Sequence, residues 1–203
     1  MNIGNEKSDS LDGILHNIWF MLEQGATHSD DPFHWPVLGT TAREGCRLRT
    51  VILRQVKVPD RILVCHTDAR SSKVQDIMNC SQTSWLFYHP KKKIQLRILG
   101  YATLHAHDAY ADSQWADASI TSRLNYCAPQ PPGARIGKPS SGLPDFLLNK
   151  IPTLLKTERC RKNFMVIAVQ VFSIDWLLLN IAGNRRALFK WDKDRLWSTW
   201  LVP

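Results

Sequence analysis

The sequence predicts a mainly β, α+β protein whose strands form an antiparallel meander that closes on itself, and three observations carry that expectation. Apolar, β-prone segments of ordinary strand length recur from Val37 to Leu201. Turn signals separate them at Glu44-Gly45, Pro59-Asp60, Pro90-Lys91 and Asp192 to Asp194. Most neighbouring segments are joined by these turns rather than by helices, which excludes an alternating βαβ sheet.

The first element is helical. Leu11, Ile14, Leu15, Ile18, Trp19 and Leu22 recur at spacings of three and four, the stripe of one amphipathic helix, and Ser10 stands where a cap belongs. Asp30-Asp31-Pro32-Phe33 reads as a loop delivering a first strand at residues 37–41. Further strands are expected at residues 49–56, 62–66, 83–88, 94–105, 164–172, 176–180, 187–191 and 196–201. Short helices are expected at 72–79, 108–117 and 146–155. The Pro-, Gly- and Ser-dense stretch from Cys127 to Asp145 reads as a loop within one domain that spans residues 1–203.

With 44% hydrophobic and 22% charged residues in 203, the composition excludes a disordered or fibrous chain. The most apolar stretch, residues 166–182, is interrupted by Gln170 and Asp175, and the start lacks a basic segment followed by an apolar run. A soluble protein with no secretory signal and no membrane partner is expected. The five cysteines are odd in number, dispersed and without a C-x-x-C, which argues against a disulfide framework or a zinc site and for a reducing cytoplasm. A net charge of +8 favours a phosphate-bearing ligand or partner. The basic residues are scattered rather than gathered in one stripe, so a phosphorylated small molecule is favoured over nucleic acid.

Three segments can carry chemistry. In RTVILR, residues 49–54, Arg49, Val51 and Leu53 face one way while Thr50, Ile52 and Arg54 face the other; the strand can set a cation beside a phosphate while its backbone edges a flat ring. The bland alternative is a solvated strand end. HTDARSSK, residues 66–73, leaves a strand and enters a helix at Ser71 or Ser72, where unpaired N–H groups meet Arg70, two hydroxyls and Lys73. It reads either as an anion site or as a capped helix with solvated cations. In IQLRILG, residues 94–100, Gln95 and Arg97 share one face of a strand, either solvated or lining a ligand.

In this order and spacing the three segments resemble the flavin-binding half of pyridoxamine 5′-phosphate oxidase and its relatives, in which a strand R-x-V-x-L-K, a turn Y-T-x-x-x-S-R-K and a strand beginning R-Q-V follow one another. SRLNYCAPQPPG, ERCRKNF and WLLLNIAGNRRALFKW extend the resemblance over nearly the whole chain, to a bacterial branch of oxidase-like proteins. The resemblance implies a six-stranded split β-barrel with flanking short helices that binds flavin mononucleotide (FMN) and moves a hydride between it and a small-molecule substrate. A flavin carrier without turnover is the alternative. Arg49, Lys73 and Ser71 or Ser72 would hold the flavin phosphate; Arg70 stands near the place of the oxidase's turn arginine. Thr50, Val51, Ile52, Leu53, Arg54, His66 and Thr67 would line the cofactor, and Gln95 would bond its ring system. The resemblance further implies a homodimer that shares each flavin, with Trp176 and Arg186 reaching the partner's cofactor. Two positions depart from the oxidase: its substrate-binding Arg and His are Ala182 and Asn184 here, a loss of charge-assisted bonds of ~1.5 to 3 kcal/mol each. Arg123 falls near the oxidase's substrate-phosphate arginine, and no residue is assigned a catalytic proton transfer.

Other candidates have simpler readings. His105 and His107 have no third metal ligand near them in sequence and read as a surface pair, so no metal is expected. Trp191, Trp197 and Trp200 read as packing of the last strands or of a dimer interface. Cys127 has no base partner in sequence and reads as an inert buried thiol.

Overall fold

The computed structural model of the chain describes residues 10–144, 147 and 152–203. Helix α1 (Leu11–Thr27) begins where the cap predicts, with Ser10 Oγ accepting from Gly13 N at 3.1 Å. It runs past Leu22 to Thr27, and Gly25 near its end lets Phe33 approach closely. A Cβ at Gly25 would stand 2.6 Å from Phe33 Cβ. One side of α1, including Ile14, Ile18, Trp19 and Leu22, closes over the sheet and forms part of the main core.

Strands β1 (Val37–Ala42), β2 (Gly45–Thr50), β3 (Gln55–Lys57), β4 (Ile62–Asp68), β5 (Gln82–His89), β6 (Ile94–His105), β7 (Phe164–Leu178), β8 (Arg185–Asp192) and β9 (Arg195–Leu201) form one antiparallel sheet. Helix α2 (Ser72–Asn79) joins β4 to β5, and α3 (Ala109–Asp117), α4 (Ile120–Leu124) and α5 (Leu154–Glu158) lie between β6 and β7. The four expected turns are all present. Three of them place a non-glycine residue in the left-handed region, namely Arg61, Lys93 and Lys193 at φ 52°, 54° and 53°.

The sheet corrects the strand count. Its order is β2-β1-β5-β6-β7-β4-β3, with β8 on the second half of β7 and β9 on β8, giving nine strands rather than six and no continuous closure. The segment expected as one strand at residues 49–56 is cut. β2 pairs with β1 and β3 with β4, so residues 51–54 carry the chain from one end of the sheet path to the other. Val51 N still bonds Pro36 O at 2.9 Å and Arg54 N bonds Val64 O at 2.8 Å, while Leu53 N turns to His34 O at 3.0 Å. This is the split in the barrel.

A second correction merges the strands expected at 164–172 and 176–180 into β7. Asp175 does not break the strand, because it points outward to Arg97 and Arg186 on the strands at either side. β4 and the first half of β7 are buried on both faces: Leu63, Cys65, Ile167 and Val169 join the main core, whereas Val64, Phe164 and Val166 join a second cluster with Trp115 and Tyr126. The expected helix at 146–155 falls largely outside the described residues; α5 follows it. Among the described residues no helix is long and apolar enough to cross a membrane.

The cysteine reading also changes. Cys127 and Cys160, 33 residues apart, form a disulfide within the second cluster, so Cys127 is not an inert thiol and the pair no longer argues for a reducing compartment. Sequence spacing could not show this, because the sheet, not the local chain, brings the start of β7 to the end of α4. Among the described residues no group of three His, Cys, Asp or Glu side chains could hold a metal; His105 Nδ1 instead pairs with Asp108 Oδ2 at 2.7 Å, next to the cap of α3.

Candidate functional site

The turn from β4 into α2 is the most concentrated polar arrangement near the split. Ser71 occupies the N-cap position of α2 with extended backbone, yet its hydroxyl makes no capping bond. It lies 3.0 Å from Thr67 Oγ1, and Lys73 Nζ donates to both hydroxyls, at 3.2 Å to Ser71 and 3.0 Å to Thr67. Ser71 and Thr67 are buried. The helix start adds the N–H groups that a first turn leaves unpaired.

Arg49 reaches the same place from β2. Its guanidinium donates to Thr40 Oγ1 at 2.6 Å and stands 3.5 Å from the buried Asp76 carboxylate of α2. Burial, reinforced by repulsion from Arg49, pulls the Lys73 ammonium below the usual lysine range. Burial also lowers Arg49, against the pull of Asp76. Two cations are therefore held close together, one of them by hydroxyls rather than by a carboxylate. An arriving dianion would relieve that repulsion and find donors already in place.

Residues 50–54 form the wall beside this cradle. Thr50, Val51, Ile52, Arg54, His66, Thr67 and Lys73 line a cavity of about 260 Å³, with Asn125, Tyr126 and Pro132 opposite. Arg54 and His66 also line an adjoining cavity of about 370 Å³, whose far wall is Gln114, Asp117, Ser119 and Ser122. The two spaces make one trough. Arg54 Nε is buried without a hydrogen-bond partner, a donor facing this region that nothing in the chain satisfies. His66 shares a hydrogen bond with Gln114 Oε1 at 3.1 Å and packs edge-on against Phe164; burial brings its pKa down to about 4, so the imidazole is neutral at physiological pH.

Several expected residues lie elsewhere. Leu53 packs in the core, fully buried, and lines neither cavity. Arg70 turns away from Lys73: it pairs with Asp68 at 2.7 Å and donates to Ala128 O and Pro129 O, so it anchors a loop. Ser72 is exposed. Arg123, expected near a substrate, is 3% exposed; it donates to the carbonyls of Trp115, Ala116 and Ala118 and to Glu158, with its guanidinium 4.6 Å from the Trp115 ring. It locks α3, α4 and α5 together. Trp176 is in the core beneath Arg185, so its indole presents no face to a ligand. Asn184 holds the β7–β8 turn by accepting from Asn180 N at 3.0 Å.

Gln95 and Arg186 form a separate group. They face outward on one row of the sheet, flanking Leu177, and Arg186 pairs with Asp175 at 2.8 Å beside Arg97. His66 pairs with Val166 near one end of β7 and Gln95 with Leu177 near the other. At ~3.3 Å per residue the two groups are roughly 35 Å apart along the strand. The trough residues missed by sequence reasoning, Asn125, Tyr126, Pro132, Gln114, Asp117, Ser119 and Ser122, come from α3, α4 and the following loop. Only the NYCAP stretch gave any signal of them, through its place in a Pro-rich segment.

Residues 17–106 match the family model described as "Pyridoxamine 5'-phosphate oxidase, FMN-binding domain". A pyridoxamine 5′-phosphate oxidase-related, FMN binding protein from Nostoc punctiforme PCC 73102 superimposes with a TM-score of 0.71 at 24% identity, covering 96% of this chain and 100% of that one. PhzG from Burkholderia lata 383, in complex with tetrahydrophenazine-1-carboxylic acid, superimposes at 0.67 with 16% identity, covering 98% and 96%. At these identities the two structures establish the split-barrel fold. No curated protein matches the sequence. The resemblance read from the three segments is borne out over the matched region.

Proposed function

We propose that this relative of the pyridoxamine 5′-phosphate oxidase FMN-binding proteins binds FMN in the trough and acts as a flavin-dependent oxidoreductase on a small substrate. One observation carries the reading: Ser71 Oγ leaves the helix uncapped and joins Thr67 and Lys73 beside Arg49, a donor set for a phosphate dianion. The flat wall of residues 50–54, and the orphaned Arg54 Nε beyond it, fit a planar, polar-edged ring system. Bound flavin would supply the hydride chemistry. The chain's own residues would bind the phosphate, hold the ring against the strand and, through neutral His66 and Arg54, present donors to whatever lies in the adjoining cavity. The neighbour PhzG holds a carboxylated ring compound, and Arg54 and Lys73 are the cations in the trough that could meet such a carboxylate.

Gln95 and Arg186 cannot reach the trough of their own chain. A two-fold partner would supply them, and the outer face that bears them also exposes Leu48, Leu86, Tyr88 and Trp197. We therefore include a homodimer in the proposal. A mass in solution equal to one chain, with flavin bound, would contradict it.

A flavin carrier without turnover is the second reading, favoured by Ala182 and by Asn184, whose side chain is tied into its own turn. The test begins with the purified protein: a yellow preparation that releases FMN and bleaches with a reductant supports flavin binding, and a colourless one that cannot be reconstituted contradicts it. Reoxidation coupled to turnover of a ring carboxylate or phosphate then separates enzyme from carrier.

A further inference from the structure

The Cys127–Cys160 disulfide ties the far wall of the trough to the sheet. Cys127 directly follows Asn125 and Tyr126, which face Thr67 and Lys73 across the cavity, and Pro132 lies five residues on. Cys160 precedes β7 by one short turn, so the bond fastens a Pro- and Gly-rich loop to the strand that pairs with β4. Other ties on this wall are the bonds from Tyr126 N to Arg123 O and from Cys127 N to Leu124 O, from Asn163 Nδ2 to Tyr126 O at 2.8 Å, and from Arg70 to Ala128 O and Pro129 O. The Tyr126 ring packs on Phe164 at 5.0 Å.

The bond lies in the second cluster at the edge of a cavity, with Cys127 8% and Cys160 4% exposed. Both sulfurs belong to residues that line a cavity of about 610 Å³ among the described residues, and Arg70, Arg159 and Lys162 share its walls. Cations beside a thiol favour the thiolate, the form that leaves and re-attacks in thiol–disulfide exchange. Cys65 shows the opposite setting: wholly buried among apolar side chains, its thiol is pushed up to about 12 and stays protonated.

We propose that Cys127 and Cys160 form a reversible redox site, opened by a dithiol, whose state controls how firmly the trough holds its ligand. In the exchange, one thiolate of the dithiol attacks one sulfur of the pair and the S–S bond breaks. The second thiolate then resolves the mixed disulfide. The dithiol is oxidised to a disulfide while two electrons and two protons pass to Cys127 and Cys160. Opening the bond leaves residues 125–132 held by those hydrogen bonds and by the Tyr126 packing. The wall moves more freely and the trough loosens. The ligand part of this inference rests on the flavin reading above; the redox site does not.

The experiment uses the whole chain equilibrated in buffers of graded ratio of reduced to oxidised dithiothreitol. Alkylation and mass measurement follow the pair, amide hydrogen exchange follows residues 125–132, and fluorescence titration follows FMN. The expected result is a titratable pair, about fivefold or faster exchange in 125–132 on reduction, and about tenfold weaker FMN binding. The double variant C127A/C160A should match the reduced protein in every buffer. A pair that stays reduced in every buffer, or an oxidised and a reduced protein alike in amide exchange and in FMN affinity, overturns the proposal. A chain that takes no flavin in either state contradicts the flavin reading instead, and the amide exchange still decides the redox site.

Discussion

Two arginine-bearing regions of the sheet treat their charge in opposite ways. On the outer face of β6, β7 and β8, Arg97 and Arg186 share the Asp175 carboxylate; burial raises that carboxyl, but the bonds from Arg186 and Arg97 outweigh it and hold it below the usual carboxylate range. Each of the two cations there bonds directly to that one carboxylate. In the cradle, Arg49 has Asp76, but Lys73 hydrogen-bonds two hydroxyls beside Arg49, with Asp68 and Asp76 attracting it without a direct bond. The first arrangement is complete and stabilises the fold. Under the proposed function the second awaits an anion, and a cation bonded to hydroxyls rather than to a carboxylate marks the place where a phosphate would bind.

The comparison can be broken most sharply at Lys73. Lys73→Met should weaken FMN binding by roughly 10- to 150-fold, from a charge-assisted bond of about 1.5 to 3 kcal/mol, while leaving the melting temperature of the ligand-free protein unchanged or slightly higher, because a repelled, half-buried cation is removed. Titration by flavin fluorescence and a thermal melt check the two halves. Asp175→Asn should do the reverse: it leaves two arginines without their carboxylate and should lower unfolding free energy by about 1 to 2 kcal/mol in urea melts, with the first-order effect on stability rather than on the phosphate.

Ser71→Ala should sharpen the contrast at smaller scale. The hydroxyl does not cap α2, so stability should hold, whereas FMN affinity should fall by roughly 2- to 13-fold for a neutral hydrogen bond of ~0.5 to 1.5 kcal/mol. A loss of stability without loss of affinity would return Ser71 to a capping role. The smallest effect at neutral pH concerns His66. Its folded pKa of about 4 lies below the unfolded value near 6.5, so the unfolded chain binds the extra proton first. The stability from its neutral form is full above about pH 6.5 and is lost as pH falls toward about 4. His66→Gln should flatten that part of a melting-temperature profile.

Much of this was legible in the sequence because it is local. The α2 boundaries, the turns and the alternation of residues 49–54 follow from neighbours within a few residues, and the first two polar segments meet at the cradle, whereas the third, with Gln95, lies in a separate group. What was not legible depends on long-range placement. By resemblance Arg123 reads as a substrate-phosphate arginine until α3, α4 and α5 gather carbonyls around it. Trp176 fits a ligand-facing spacing, yet sheet register turns it into the core. Asp175 looks like a strand breaker until Arg97 and Arg186 arrive from neighbouring strands. Cys127 and Cys160 become partners only once β7 has docked.

The most direct test of the cradle compares FMN with riboflavin, which carries the same ring without the phosphate, on the wild-type chain and on Lys73→Met. The account predicts that the wild-type chain prefers FMN by roughly 100-fold or more, the scale of two charge-assisted bonds, and that the preference shrinks by at least tenfold in the variant. Equal affinity for the two ligands in the wild-type chain would contradict it.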